Sequence, residues 1–153
     1  MRFHTAHPDE TAHLAPKIVS EAARLQHNHA VIICLSGDLG AGKTTLVKGI
    51  AQELGILETI TSPTFVILKK YHLPESSAYA SQFTYLIHID AYRLQGGADM
   101  QALGFIEMTQ DPSSLIVIEW PERIKDALPN GIVNVIIEHV GMSERNILIT
   151  IKE

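Results

Sequence analysis

Cysteine, tryptophan and long apolar runs are all scarce in this sequence. Cys34 is its one cysteine and Trp120 its one tryptophan. A lone cysteine has no partner for a disulfide within the chain, and its place in an apolar run indicates a buried, unreactive thiol. No apolar run approaches the ~20 residues needed to span a bilayer, and the start of the sequence lacks the apolar segment of a signal peptide. We therefore expect a cytoplasmic protein that has no contact with a membrane.

Positive charge is also in short supply. The chain has 12 Lys and Arg against 17 Asp and Glu, a net charge of -5. Because nucleic-acid backbones are bound by clustered lysines and arginines, this chain alone is not expected to hold RNA or DNA. The eight histidines lie in no zinc-ligand spacing, which argues against a zinc site. With 153 residues, 46% of them hydrophobic, the chain is expected to form one domain over residues 1 to 153.

The most informative segment is a phosphate loop. Residues 37 to 44, GDLGAGKT, fit the pattern G-x-x-x-x-G-K-[ST], and the apolar run 30 to 35 before them has the length of a buried strand. Glycine lets the backbone take positive φ, so that successive N–H groups point at an anion. Lys43 is expected to reach the β- and γ-phosphates and to contact little else, and Thr44 to bind Mg²⁺. The predicted nucleotide-binding residues are Asp38, Leu39, Gly40, Ala41, Gly42, Lys43, Thr44 and Thr45.

The rest of the chain alternates between helical and strand-like segments. A helix is predicted over residues 9 to 27, capped by Asp9 or Thr11, and Pro16 requires it to start near Leu14 or to kink. The stretch before it is expected to be irregular. Further helical structure is predicted over 45 to 54, with short helical turns over 99 to 108. Strands are predicted over 65 to 71, 83 to 89 and 115 to 118, and a hairpin is expected to form from 132 to 140 with 146 to 151. Residues 72 to 82 are expected to form an exposed and weakly restrained loop.

This order of elements predicts an α/β fold of the phosphate-loop NTPase type. Helices are expected to flank a mostly parallel sheet, and the C-terminal hairpin to form an antiparallel edge. In such sheets ligands bind at the carboxyl ends of the strands. The residues that directly follow each strand are therefore the candidates for chemistry.

Two acidic residues stand at such strand ends. Asp90 follows the apolar run 86 to 89, and Glu119 follows the run 116 to 118. A phosphate-loop site needs a second anchor for Mg²⁺, usually an acid on a neighbouring strand. If both acids face one crevice, one holds Mg²⁺ and the other orients or deprotonates the attacking water. We assign the water to Glu119 because its side chain is longer, while the exchanged assignment stays open. With Lys43, these two acids are the predicted catalytic residues, and with Thr44 they are the predicted metal ligands.

A segment rich in hydroxyl groups follows the first helix after the loop. Residues 61 to 64 read Thr-Ser-Pro-Thr, in the position of a switch that senses the γ-phosphate. The alternative is a simple Ser/Thr turn before a strand, and the sequence leaves the two interpretations open.

Three other side chains lie close to the acidic strand ends. Trp120 directly follows Glu119 and is either a core or edge aromatic or a contact to nucleotide or partner. Arg93 and Arg123 either neutralise phosphate charge or are solvated.

Taken together, these segments resemble the TsaE (YjeE) family, the small ATPases that bacteria need to make threonylcarbamoyladenosine in tRNA. The matching segments, which extend over nearly the whole chain, are GDLGAGKTT at 37 to 45, SPTF at 62 to 65, HIDAYRL at 88 to 94 and EWPER at 119 to 123. The loop alone fits many ATPases, whereas the other three segments at these relative positions are far more specific.

The resemblance implies an accessory protein that binds and hydrolyses Mg-ATP and acts with the TsaB and TsaD proteins. By the same resemblance it is not expected to be the enzyme that transfers the threonylcarbamoyl group, and it is expected to meet tRNA only through the complex. By matching position, Lys43 and Thr44 hold phosphate and Mg²⁺, and Asp90 is the Walker-B-type acid. By the same matching, Glu119 and Trp120 are expected to be required for function. The residues assigned to a switch or a partner contact are Ser62, Pro63, Thr64, Tyr92, Arg93 and Trp120.

Two alternative functions are compatible with a phosphate loop. A small-molecule or nucleoside kinase needs an acceptor pocket and usually an Arg-rich lid, and no Arg-rich segment lies between Met100 and Pro129. A nucleotide-gated binding module would bind ATP and barely hydrolyse it. Phosphate release with and without partner proteins separates this module from an ATPase.

Overall fold

The structure is a computed structural model that describes residues 1–25, 28–63 and 65–152. Its strands are β1 (Arg2–Thr5), β2 (Val31–Ser36), β3 (Leu68–His72), β4 (Tyr85–Asp90), β5 (Ser114–Glu119), β6 (Ile132–His139) and β7 (Arg145–Lys152). Its helices are α1 (Pro8–Ala12), α2 (Ala15–Arg24), α3 (Lys43–Glu53), α4 (Gly97–Ala102) and α5 (Phe105–Thr109), and a 3-10 segment covers Pro121–Ala127. None of the helices within these ranges is long and apolar enough to cross a bilayer.

The described strands form one sheet in the order β1-β7-β6-β2-β5-β4-β3. The four central strands, β6, β2, β5 and β4, are parallel, and antiparallel pairs complete both edges. The predicted α/β class and the C-terminal hairpin are thereby confirmed. The prediction that the N-terminal stretch is irregular was wrong, because Arg2–Thr5 pairs with β7 and lies outside the hairpin. A strand this short at a sheet edge carries too little apolar alternation to be recognised from sequence.

The core lies on both faces of the sheet. In β2, Ile33 and Leu35 belong to the cluster that packs against α2 and α3, whereas Ile32 and Cys34 belong to the cluster with residues of α4, α5 and the 3-10 segment. A parallel strand buried on both faces is apolar without interruption, which explains why this run was recognisable. Burial raises the pKa of the Cys34 thiol to about 12, and the charge of Glu122 adds to the effect.

The N-terminal helical region differs from the prediction. The expected helix over 9 to 27 is divided into α1 and α2, and the last residues of its predicted range lie outside the described part of the chain. The N-cap of α1 is His7, without a side-chain cap, so neither Asp9 nor Thr11 caps it. Pro16 lies in the first turn of α2, after Leu14 at the N-cap, which confirms the predicted alternative of a helix that starts near Leu14. There it disrupts no hydrogen bond within the helix, since the first N–H groups of a helix have no acceptor inside it.

The segments on either side of the start and end of β3 also differ from the prediction. The strand expected from residue 65 begins only at Leu68, and the preceding residues Phe65 and Val66 are exposed in a turn. The loop over 72 to 82 is better anchored than expected, because Leu73 is buried and the Tyr79 hydroxyl donates a hydrogen bond to Glu53 at 3.3 Å. Small and polar residues surround Leu73 and Tyr79 in the sequence, so the local composition did not indicate that these two residues anchor the loop.

Candidate nucleotide site

The glycines of the phosphate loop have the backbone conformations that the motif requires. The loop joins β2 to α3, and Gly37, Gly40 and Gly42 have φ values of 151°, 76° and 109°. A Cβ on Gly37 would lie 2.5 Å from the carbonyl oxygen of Ile137 in β6, so a side chain does not fit there. Gly42 is the N-cap of α3, and the helix N-terminus therefore opens onto the loop.

Lys43 is held by the loop itself. Its Nζ donates hydrogen bonds to the carbonyl oxygens of Gly37 and, at 2.9 Å, of Asp38. It also lies 3.9 Å from the ring centroid of Trp120, and the residue is only 5% exposed. The expectation that Lys43 contacts little else was therefore wrong. Burial lowers the pKa of Lys43, while the nearby carboxylates, Glu119 first, act in the opposite direction.

Glu119 connects the loop to the end of β5. The hydroxyl of Thr44 lies 3.1 Å from each oxygen of the Glu119 carboxylate, to which it donates. His88 Nε2 lies 2.7 Å from Glu119 Oε1, and both of these side chains are buried. The other ring nitrogen of His88, Nδ1, has no hydrogen-bond partner among the described residues. Within the described residues, the His88 side chain therefore has one polar contact, and this contact holds the Glu119 carboxylate in place.

Asp90 occupies the matching position on the neighbouring strand. It is paired in register with Glu119, so the two strand ends lie side by side and meet the condition that both acids face one crevice. Ser62 Oγ donates a hydrogen bond to Asp90 Oδ2 at 3.3 Å, and the backbone N–H of Tyr92 donates to Oδ1 at 3.0 Å. Asp90 therefore contacts the predicted switch segment, whereas Glu119 contacts the phosphate loop.

These side chains surround one cavity of about 320 Å³. Its lining consists of residues from the loop, the two acidic strand ends and the segment after α3, namely Leu39, Gly40, Gly42, Lys43, Thr44, Thr45, Ser62, Asp90, Tyr92, Glu119 and Trp120. Most of the predicted site residues thus meet here. Pro63 and Ala41 are buried nearby without lining the cavity, and Thr64 lies outside the described residues.

Aromatic rings form one wall of the cavity. Trp120 is half-buried with a left-handed backbone (φ 60°), a conformation that is strained for a bulky residue, and strain of this kind clusters at functional sites. Its ring centroid lies 5.0 Å from that of Tyr92, and the Arg123 guanidinium lies 5.3 Å from the Tyr92 ring. Arg93 contacts the exposed ring of Phe65 at 4.9 Å. Neither arginine lines the cavity.

Two polar residues of the site were given no role in the sequence analysis. His88 lies in an apolar strand two positions before Asp90. A polar residue within such an apolar run can be recognised from the sequence as a candidate functional residue. Arg145, 5% exposed, donates from Nε to the carbonyl oxygen of Ala41 at 2.9 Å. No local sequence pattern identifies Arg145, because Arg145 and Ala41 are 104 positions apart and come into contact only when the sheet forms.

The oxygen atoms around the cavity suit a magnesium ion. Thr44 supplies a hydroxyl, and Glu119 and Asp90 supply carboxylates. No group of three or more His, Cys, Asp or Glu able to hold a metal occurs within residues 1–25, 28–63 and 65–152. Mg²⁺ is commonly bound by one or two carboxylates together with substrate phosphates, so this donor set fits it better than a metal that needs a complete protein cage.

The strand, glycine loop and helix, with two acids at adjacent parallel strand ends, place the chain in the class of phosphate-loop α/β proteins. A family model described as "Threonylcarbamoyl adenosine biosynthesis protein TsaE" matches residues 5–147. The chain belongs to the TsaE family.

Individual relatives agree with this assignment. The chain is 33% identical over 153 residues to the tRNA threonylcarbamoyladenosine biosynthesis protein TsaE of Bacillus subtilis, covering 98% of this chain and 85% of that protein. It is 38% identical over 118 residues to the protein of the same name from Treponema pallidum, covering 77% and 80% of the two chains. The crystal structure of Bacillus subtilis YdiB superposes with a TM-score of 0.73 at 29% identity, covering 100% of this chain and 86% of that one.

Proposed function

We propose that this protein acts in the biosynthesis of threonylcarbamoyladenosine in tRNA, as a Mg²⁺-dependent ATPase of the cytoplasm that works with TsaB and TsaD. The family description and the names of the relatives support the pathway. The observation that carries the ATPase is the convergence of Lys43, Thr44, Asp90 and Glu119 on one cavity. The net charge of -5 supports contact with tRNA through the complex alone.

The phosphate loop and Lys43 bind the phosphates in this proposal. Backbone N–H groups at the start of α3 point toward anions in such loops. The ammonium of Lys43 would exchange the carbonyl oxygens of Gly37 and Asp38 for phosphate oxygens. Because burial disfavours the charged ammonium, the negative charge of a nucleotide stabilises it.

The two acids divide the remaining tasks. The contact between Thr44 and Glu119 favours these two as the groups that hold Mg²⁺, whose charge offsets that of the phosphates when it is bound. Asp90 is then the residue that orients water and accepts its proton, as the oxygen of water bonds to the γ-phosphorus and the bond to ADP breaks. This is the exchanged form of the sequence-based assignment, and it follows from the neighbours of each carboxylate.

Phosphate release from ATP and from GTP, each with and without purified TsaB and TsaD, tests the proposal. We expect Mg²⁺-dependent release from ATP, increased by the partners, and loss of tRNA modification in a reconstituted reaction that lacks this protein. Tight ATP binding without phosphate release would instead indicate a nucleotide-gated binding module. Transfer of the phosphate to a small molecule would indicate a kinase.

A further inference from the structure

Arg145 is a buried arginine that contacts the phosphate loop without lining the cavity. It is the first residue of β7 and is 5% exposed. Nε donates to the carbonyl oxygen of Ala41 at 2.9 Å, and Nη1 donates to that of Ser143 at 2.6 Å. No carboxylate among the described residues forms an ion pair with it. A buried charge without a counter-ion is costly, so its position calls for a function.

The contact with Ala41 controls one peptide unit of the loop. In a trans peptide the C=O and the N–H point in opposite directions, and no described peptide bond is cis. The oxygen of the Ala41–Gly42 peptide is directed at Arg145, so the N–H of Gly42 is directed away from it. Gly42 lines the nucleotide cavity and Arg145 does not. The hydrogen bond from Arg145 therefore holds the peptide that carries the N–H of this cavity-lining glycine.

The same hairpin supports the loop at a second place. Gly37, at the start of the loop, packs so closely on β6 that a Cβ would lie 2.5 Å from the oxygen of Ile137. Arg145 of β7 holds the other end of the loop through Ala41. The antiparallel strands β6 and β7 thus fix the loop at both of these points.

We propose that Arg145 is a positioning residue for nucleotide phosphates: it orients the Ala41–Gly42 peptide toward the anion, and its buried charge is balanced by the phosphates of the bound nucleotide. This inference rests on the nucleotide binding proposed above. A role in stability alone would lower the unfolding temperature without changing the affinity of the folded protein for ADP.

The test compares Arg145→Met, Arg145→Lys and the matched control Arg2→Met, which changes an exposed arginine of β1. Titration with Mg-ADP gives Kd, and circular dichroism gives the folded fraction and the unfolding temperature. We expect Arg145→Met to raise Kd about tenfold or more, the usual scale for loss of a charged hydrogen bond. Arg145→Lys should recover most of that loss because it keeps the charge and one donor, and Arg2→Met should bind as the wild type does.

A folded Arg145→Met protein with the wild-type Kd would overturn the inference, and so would equal weakening by the Met and Lys variants. If Arg145→Met does not fold, Arg145→Gln, which keeps an amide donor without the charge, is judged by the same tenfold criterion. Failure of the wild type to bind either ADP or ATP would reject the proposed function itself. Wild-type binding with an unaffected variant rejects only the role of Arg145.

Discussion

The hydroxyl of Thr44 lies 3.1 Å from both carboxylate oxygens of Glu119, although the two residues are 75 positions apart. The contact joins the first turn of α3 to the end of β5, and His88 holds the same carboxylate from the next strand at 2.7 Å. Asp90, the register partner of Glu119, is bonded instead to Ser62. The two acids therefore have different neighbours, and their removal should have different consequences.

Glu119→Gln and Asp90→Asn should both reduce ATP hydrolysis, on the order of 10² or more, the usual scale for loss of a positioned acid or base. Only Glu119→Gln should also raise the Mg²⁺ concentration needed for half-maximal rate, because Glu119 contacts Thr44, the residue with which we propose that it holds Mg²⁺. Steady-state phosphate release over a Mg²⁺ series measures both effects. Normal hydrolysis by the two variants would exclude this cavity as the active site.

His88 should act through Glu119 and not on the nucleotide. His88→Leu removes the donor to the Glu119 carboxylate, so we expect phosphate release to slow about tenfold, the effect of losing a hydrogen bond to a charged group. His88→Gln retains a donor of similar reach and should recover most of the rate. Turnover and Mg-ADP affinity are measured for both. A parallel loss of affinity and rate in both variants would indicate that His88 is needed only for packing.

Lys43→Ala should abolish productive binding of Mg-ATP, because the ammonium supplies the charge that attracts the phosphates. It should also lower the unfolding temperature, since the hydrogen bonds to Gly37 and Asp38 are lost. Lys48→Ala, which changes an exposed lysine of the same helix, is the control. Nucleotide titration decides the matter, and wild-type affinity in the Lys43 variant would reject the phosphate-loop assignment.

Trp120→Ala should impair the response to partner proteins more than nucleotide binding. The ring lies at the cavity wall between Lys43 and the exposed Tyr92, where an aromatic anchor is available to a bound protein. Association with TsaB and TsaD is measured in ATP, in ADP and without nucleotide, alongside tRNA modification. Leu57→Ala, at a fully exposed site that does not line the cavity, is the control. Equal affinity in all three states, with full modification by the Trp120 variant, contradicts the prediction.

Cys34 should make stability depend on alkaline pH. Its ordinary pKa of 9.0 is raised to about 12 by burial, so the folded state disfavours the thiolate. This contribution to stability is complete below pH 9.0 and is lost as the pH rises toward about 12. Unfolding temperatures across this range should fall more steeply for wild type than for Cys34→Ala. Parallel curves for the two proteins would show that the thiol is not protected by the fold.

The parts of the fold that the sequence predicts are those with a strong local pattern. The buried run of β2, the glycine loop and the apolar stripe of α3 each contain their own signal, and so do the paired runs of the C-terminal hairpin. The short helical turns predicted over 99 to 108 correspond to α4 and α5, which are separated at Gly104, a residue with a positive φ. The short edge strand β1 was missed because it depends on pairing with β7, which is distant in sequence. The helix start near Leu14 was predicted, because the effect of Pro16 is local.

The candidate site divides in the same way. The sequence by itself determined the phosphate loop, the two acids at strand ends and the family. Each of these features is contained in a few consecutive residues, either a glycine-rich loop or an apolar run that ends in a carboxylate. Only the tertiary structure decided that Glu119 faces Thr44, that His88 holds Glu119 and that Arg145 reaches Ala41. Each of these contacts depends on strand order and register, which bring together residues from 31 to 104 positions apart.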